Sequence, residues 1–443
     1  MMQWKKLLTR QRLGKGAPEK AEDARTSFQR DYDRLVFSSP FRRLKDKTQV
    51  FSLPKNDYIR TRLIHSLEVS CLGRSLGTIV GYEIKERYKL DLDEFTASDF
   101  GDIVAAACLA HDIGNPPFGH AGEDAIGSGF KSWYENTKEP LILTDQEKAD
   151  LDFFEGNAQG FRIITRLQMP ARTGGMQLTC PTLATFTKYP RESLISEEIL
   201  NNYTGKSAKK HGFFQAEKDL FATVADTVGL IRRSPDVAWW SRHPLAFLVE
   251  AADDISYHIV DLEDGYRMGY IPFTQAKELL NDIAEESHPE KGGNPEEEQI
   301  KFLRALAINK LVQEVAQIFL DHEKELLTGT FDCALISKCR HAKTLEHIES
   351  VTRERVFNHP EVVGIQVAGY EVLGHLLAEF VNANIYHTEK KGKLLKRMLP
   401  KEYCLADKES SYGKILKITD YISGMTDSYA TTLFQELKGI SLR

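Results

Sequence analysis

The stretch AAACLAHDIGNPPFGHAGED, residues 105–124, decides how this chain is read. It opens as the alanine-rich sequence of a helix destined for burial and ends that helix on an adjacent His111-Asp112 pair. Gly114 and Pro116-Pro117 then break the helix, because proline offers no N–H and clashes with the preceding turn. His120, Glu123 and Asp124 follow at once. A neutral imidazole beside an anionic oxygen at the end of a buried helix suits a divalent metal. The break lets the second polar cluster fold back over that metal.

Two other segments offer partners for this pair. Arg62-Leu63-Ile64-His65-Ser66-Leu67-Glu68 opens an apolar helix. The segment VEAADDISYHIVDLED, Val249 to Asp264, reads as a helix with Asp253, Tyr257 and Asp261 four residues apart. Each step of four advances about 40° beyond a full turn, so the three stand in a slanted row on one face and Asp254 points elsewhere. Two imidazoles and two carboxylates form a borderline-to-hard donor set, better matched to Mn, Fe, Mg or Zn than to copper. Four protein ligands on a six-coordinate ion leave room for water and a phosphate oxygen, the arrangement that polarises a P–O bond.

The bulk sequence is consistent with a globular enzyme. Its 443 residues are 42% hydrophobic and 28% charged, and the net charge of -6 excludes an overall basic nucleic-acid-binding character. The six cysteines are scattered without a CxxC pair, as expected of reduced thiols in a cytoplasmic protein. No signal peptide or membrane span is expected. Helical periodicity covers Leu63–Val80, Asp102–His111, Pro244–Val260 and Ile300–Leu326, while alternating strand patterns are few. The expectation is an all-α fold with a core over residues 26–285, an exposed acidic loop over 285–299, and C-terminal helices over 300–443 that complete the substrate pocket.

The order His65, His111-Asp112, Asp253 resembles the HD metal-dependent phosphohydrolase superfamily. The blocks RDYDRLVFSSPFRRLKDKTQVF, TRLIHSLEVS, LAHDIGNPPFGHAGE, EAADDISY and DYISGMTDSYA are similar to those of bacterial deoxyguanosinetriphosphate triphosphohydrolases and their dNTPase relatives, from one end of the chain to the other. The resemblance implies an HD-domain helical core with additional C-terminal helices, and hydrolysis of a dNTP, dGTP among them, at the α-phosphorus to deoxynucleoside and inorganic triphosphate. It implies His65, His111, Asp112 and Asp253 as ligands of a divalent metal, Mn2+ or Mg2+ first. His120 and Glu123 match the catalytic pair. Gln49, Tyr257 and Asp261 match positions beside the sugar and phosphates, and Arg62 one at the α-phosphate. Lys188, Tyr189 and Lys218 match triphosphate-binding positions. Relatives assemble as homo-oligomers, hexamers among them, and a nucleotide effector belongs to the same expectation.

Two other functions are weighed against this one. A phosphodiesterase or pyrophosphohydrolase of the same superfamily would release a monophosphate instead of triphosphate. A nucleotide-sensing, single-stranded-DNA-binding regulator would use basic runs such as Arg42-Arg43, Lys206–Lys210 and Lys390–Arg397, whose simpler reading is solvated surface. The set Cys333, Cys339, His341 and His347 lacks the spacing of a zinc site and reads as structural.

Overall fold

The computed structural model describes residues 1–18, 24–50, 60–137, 141–201, 203–285, 295–386, 390–404 and 409–441. Among these the chain is helical throughout, and its only β pairings are isolated bridges such as Arg12 with Thr179. The all-α expectation therefore holds. The periodic segments become the helices Arg62–Arg87, Ala97–Ala110 and Ala246–Arg267, and the last becomes Glu296–Asp321 followed by Glu323–Thr328. No helix among the described residues is long and apolar enough to cross a membrane.

The Ala97–Ala110 helix is the central rod. Thr96 and Asp99 form a reciprocal capping box at its start, with Thr96 Oγ accepting from Asp99 N at 3.2 Å and Asp99 Oδ2 accepting from Thr96 N at 2.7 Å. Every residue from Ile103 to Ala110 is buried, which is what an apolar face all round requires. Its nearest neighbour is the Arg62–Arg87 helix, which carries Gly73, Gly77 and Gly81 at four-residue spacing. A Cβ at Gly77 would stand 2.8 Å from the Phe100 carbonyl oxygen, so the two backbones touch only because this stripe has no side chains. That approach brings the start of one helix close to the end of the other, and so His65 to His111.

Among the described residues two large apolar cores result, beside a small cluster of Ile195, Ala208 and Trp239. The larger holds Phe100, Val104, Leu109, Ile113, Ile255, Ile259, Leu311 and Phe319. The second holds Phe118, Ile126, Phe130, Leu376, Phe380, Ile415 and Ile422. The 105–124 stretch thus leaves one core at Ile113 and enters the other at Phe118. The His120–Asn136 helix lies in the second core, against the C-terminal helices Pro360–Ile385 and Ser411–Ser423.

The acidic loop expected over 285–299 is shorter than that. Glu296, Glu297 and Glu298 form the first turn of the Glu296–Asp321 helix, where carboxylates favour the positive end of the helix dipole. Residues 286–294 lie outside the described residues, as do the turn at 52–54 and Phe51. All six cysteines are free thiols. His341 faces Glu314, with Nδ1 and Oε1 3.0 Å apart, consistent with a structural reading of that segment.

Candidate metal and active site

Three helices deliver the first cluster. His65 sits in the first turn of Arg62–Arg87, His111 caps the end of Ala97–Ala110, and Asp253 lies in the second turn of Ala246–Arg267. Ligand atoms of His65, His111 and Asp112 all lie within 4.8 Å of one another. Asp253 Oδ1 joins them, 3.2 Å from His65 Nε2 and 3.6 Å from His111 Nε2. The rings of His65 and His111 meet edge to face at 5.2 Å.

The surroundings fit a divalent cation. His111 Nδ1–H donates to the Cys108 carbonyl at 2.6 Å, which leaves the Nε2 lone pair facing the cluster. Asn115 Nδ2 donates to Asp112 Oδ1 at 2.6 Å, and Arg62 donates to Asp112 Oδ2 at 2.8 Å. Burial alone would raise the Asp112 carboxyl, but Arg62, His111 and His65 outweigh it and bring it down to about 2. Asp253 is likewise held below the ordinary range, with His111 and His65 overcoming burial. Both carboxylates are therefore anionic at neutral pH. Asp253 keeps a third of its side-chain surface open to the cleft (33%), whereas His65 is sealed behind it (3%).

The second cluster lies across the proline break. His120 is the first residue of its helix and has an open face, with protein crowded around the rest of the ring. Burial, then Lys210 and Arg62, lower its pKa below the usual 6.5, so the ring is neutral at pH 7. Glu123 is buried, and burial raises its pKa despite Lys210 nearby. Its oxygens accept from Gly156 N at 2.7 Å and pair with Lys210 Nζ at 3.4 Å; no hydrogen bond joins it to His120 among the described residues. A Cβ at Gly156 would stand 2.6 Å from Glu123 Oε1, so only glycine lets that amide reach the carboxylate.

A cationic wall joins the two clusters. Arg62 links them, since it holds Asp112 and its guanidinium lies beside Gly119. Lys188 Nζ stands 3.3 Å from Glu250 Oε1, with Asp254 and Asp253 close enough to help hold its pKa above the usual lysine range against burial. Tyr189 follows, between Lys188 and the buried Arg242. Tyr257 stacks on Phe357 at 5.6 Å, and Asp261 lies buried further along the same helix, its carboxyl pushed up to about 8 by burial. The Gln49 side-chain oxygen is buried with no hydrogen-bond partner among the described residues. Lys218 instead pairs with Glu192 at 3.1 Å.

Lys210 is the residue that sequence reasoning left out of the site. It was grouped with the solvated run Lys206–Lys210, yet this segment is pinned down. Ser207 is buried and its N–H donates to Asp332 at 3.1 Å, while Lys210 Nζ stands 2.9 Å from Glu155 Oε2. The signal available was the apolar continuation Gly212-Phe213-Phe214, which anchors the segment: both phenylalanines are fully buried. Glu155 had no such signal; it enters because Gly156 must approach Glu123.

Comparison with known proteins points one way. Residues 62–152 match the HD domain, and residues 335–436 match the phosphohydrolase-associated domain. A deoxyguanosinetriphosphate triphosphohydrolase-like protein of Synechocystis is 59% identical over 443 residues, covering 100% of both chains. A protein of the same description from Pseudomonas aeruginosa is 38% identical over 99% of each chain. A deoxyguanosinetriphosphate triphosphohydrolase of Klebsiella pneumoniae is 33% identical over 95% of each.

Proposed function

The chain belongs to the deoxyguanosinetriphosphate triphosphohydrolase family of HD-domain hydrolases, and from that premise we propose that it cleaves deoxynucleoside triphosphates at the α-phosphorus. The products are a deoxynucleoside and inorganic triphosphate, with dGTP among the substrates. One observation carries this reading: the four-donor cluster and the neutral His120 share a cleft whose connecting wall is Arg62, Lys188 and Lys210.

His65, His111, Asp112 and Asp253 would hold a divalent ion, manganese or magnesium by their mix of imidazole and carboxylate. Such an ion, when bound, polarises the α-phosphate and offsets charge gathering there. The protein's own groups do the rest. Arg62 presents a planar fork to the α-phosphate, while Lys188 and Lys210 act as point charges on the outer phosphates. Their charges are partly offset by Glu250, Glu123 and Glu155. Gln49 offers its unpartnered oxygen to a sugar hydroxyl, and Tyr257 with Asp261 lines the sugar side.

In the reaction, water attacks the α-phosphorus, the bond to the 5′ oxygen breaks, and that oxygen leaves with the electron pair and gains a proton. His120 is the group that moves a proton in this exchange. Glu123 acts beside it by fixing Gly156 and Lys210. The test is turnover of each dNTP by the purified full chain with manganese or magnesium, with product identification. Inorganic triphosphate and deoxynucleoside are expected. Monophosphate with pyrophosphate, or no turnover, would overturn the reading.

A further inference from the structure

Phe118 and Gly119, the two residues before His120, have positive φ, 63° and 60°. A phenylalanine in the left-handed region is strained, because its Cβ crowds the backbone, and persists only where its surroundings hold it. Here both anchors come from the C-terminal helices. Asp427, the first residue of the Asp427–Lys438 helix, accepts from Phe118 N through Oδ1 at 3.1 Å. The Phe118 ring lies against Gly369 of the Pro360–Ile385 helix, where a Cβ would come within 3.0 Å of it.

The same Asp427 carboxylate has a second customer. Its Oδ2 accepts from Thr48 N at 3.0 Å and from the Thr48 hydroxyl. Thr48 is the residue before Gln49. One side chain, 3% exposed, therefore ties the hinge of His120 to the loop of Gln49. Lys47 adds a parallel tie, donating to the Asn115 carbonyl at 2.5 Å and to the Ser423 carbonyl at 2.8 Å.

We propose that Asp427 is a positioning residue for the hydrolysis: its one carboxylate sets His120 and Gln49 in register from the C-terminal helical region. The proposal rests on the dNTP reading above. It makes the metal cluster independent of this latch, because His65 and Asp253 stand on helices of the other core and His111 and Asp112 at the end of a third. Gln49 would meet the sugar and His120 the reacting oxygens, so loosening the latch separates two contacts that the same substrate must make together.

The test compares Asp427→Asn, Thr48→Val and Ser428→Ala in the full chain. Asparagine keeps the shape but replaces one of the two accepting oxygens by a donor, which then faces either the Phe118 N–H or the Thr48 N–H and hydroxyl, and valine removes only the hydroxyl contact. Ser428 is the control: its hydroxyl donates to Asp46 Oδ1 at 2.9 Å, tying the same two segments without touching Phe118. Asp427→Asn is expected to lower kcat by about tenfold to hundredfold, the scale on which a misplacement of about 1 Å acts. Metal content should be unchanged, Thr48→Val should fall between it and wild type, and Ser428→Ala should keep its kcat within about twofold. An unchanged kcat in Asp427→Asn, or an equal loss in Ser428→Ala, would overturn the proposal. If Asp427→Asn does not fold, an unchanged kcat in Thr48→Val overturns it. Hydrogen exchange at the Phe118 and Gly119 amides gives a readout independent of turnover. It should quicken in Thr48→Val and Asp427→Asn, and unaltered protection in the folded variants refutes the latch. If the wild-type chain turns over no dNTP, the reaction assigned above fails while exchange still judges the latch.

Discussion

The two sides of the candidate site, the metal wall of His65, His111, Asp112 and Asp253 and the wall of His120 and Glu123 proposed for proton transfer, differ in how their carboxylates are treated. Asp112 is buried and Asp253 is partly buried, yet neighbouring Arg62 and histidine groups hold both below the ordinary carboxylate range. Glu123 and Glu155 are also buried, and burial wins, so both are raised even with Lys210 between them. The first pair is arranged to stay charged and receive a cation. The second keeps a lysine half-compensated; under the proposed function an arriving polyanion would find positive charge there without a strongly repelling pair of carboxylates. The difference follows from construction. Three long helices in the larger core set the metal wall, whereas the other wall hangs on the 114–119 hinge, the Gly156 turn and the Lys206–Lys210 segment.

The strongest way to break this contrast is His111→Ala. It removes a donor whose partner nitrogen is already committed to Cys108 O. Activity should fall to background together with bound metal, measured by elemental analysis and triphosphate release. A variant that keeps both would refute the metal assignment. Chelation of the wild-type protein should reproduce the loss, and added manganese should reverse it.

His120→Gln tests the other wall. It should lower kcat by about 10²-fold with metal content unchanged. Because burial and two cations depress the His120 pKa, the pH profile of kcat/KM should carry a limb below pH 6.5 that the variant lacks. A rate that rises with pH through that limb assigns His120 as base; one that falls assigns it as acid. A limb above 6.5 that disappears in the variant would show that the cations do not control this ring in the free enzyme.

The two walls were not equally legible in the sequence. That His65, His111, Asp112 and Asp253 come together was legible from their donor types and from the resemblance, and the glycine stripe explains why the helices of His65 and His111 meet so closely. The all-α fold was legible from helical periodicity. The proton-transfer wall depends on contacts between residues far apart in the chain. Lys210 meets Glu155 and Glu123 because Ser207 is tied to Asp332, and no local pattern encodes that tie. The sequence pairs Glu123 with His120 three residues earlier. Instead it turns to Gly156, which only a packed structure could supply.

The third test sharpens the cationic wall. Lys210→Ala removes the ammonium that faces Glu123, Glu155 and the His120 ring. A charge-assisted contact to phosphate is worth about 1.5–3 kcal/mol, so kcat/KM should fall about tenfold to hundredfold, mainly through KM. The depressed His120 pKa should also move back up, since one of the two cations lowering it is gone. A fall in kcat/KM without that pH shift would leave Lys210 as a phosphate contact alone.

The smallest effect belongs to Lys218→Ala, and it separates geometry from resemblance. The resemblance puts Lys218 on the triphosphate. The geometry puts its half-exposed ammonium on Glu192, which also accepts from Gln215 and from Ala238 N at 2.6 Å. The lysine is half-exposed, and the buried Glu192 keeps its other two donors when the lysine goes, so stability should change by about 0–1 kcal/mol and kcat/KM should stay within about twofold. Steady-state kinetics on Lys210→Ala and Lys218→Ala side by side decide the matter. If Lys218→Ala raises KM as much as Lys210→Ala does, the triphosphate reaches further along the cleft than Lys210, and Glu192 must release its lysine when substrate binds.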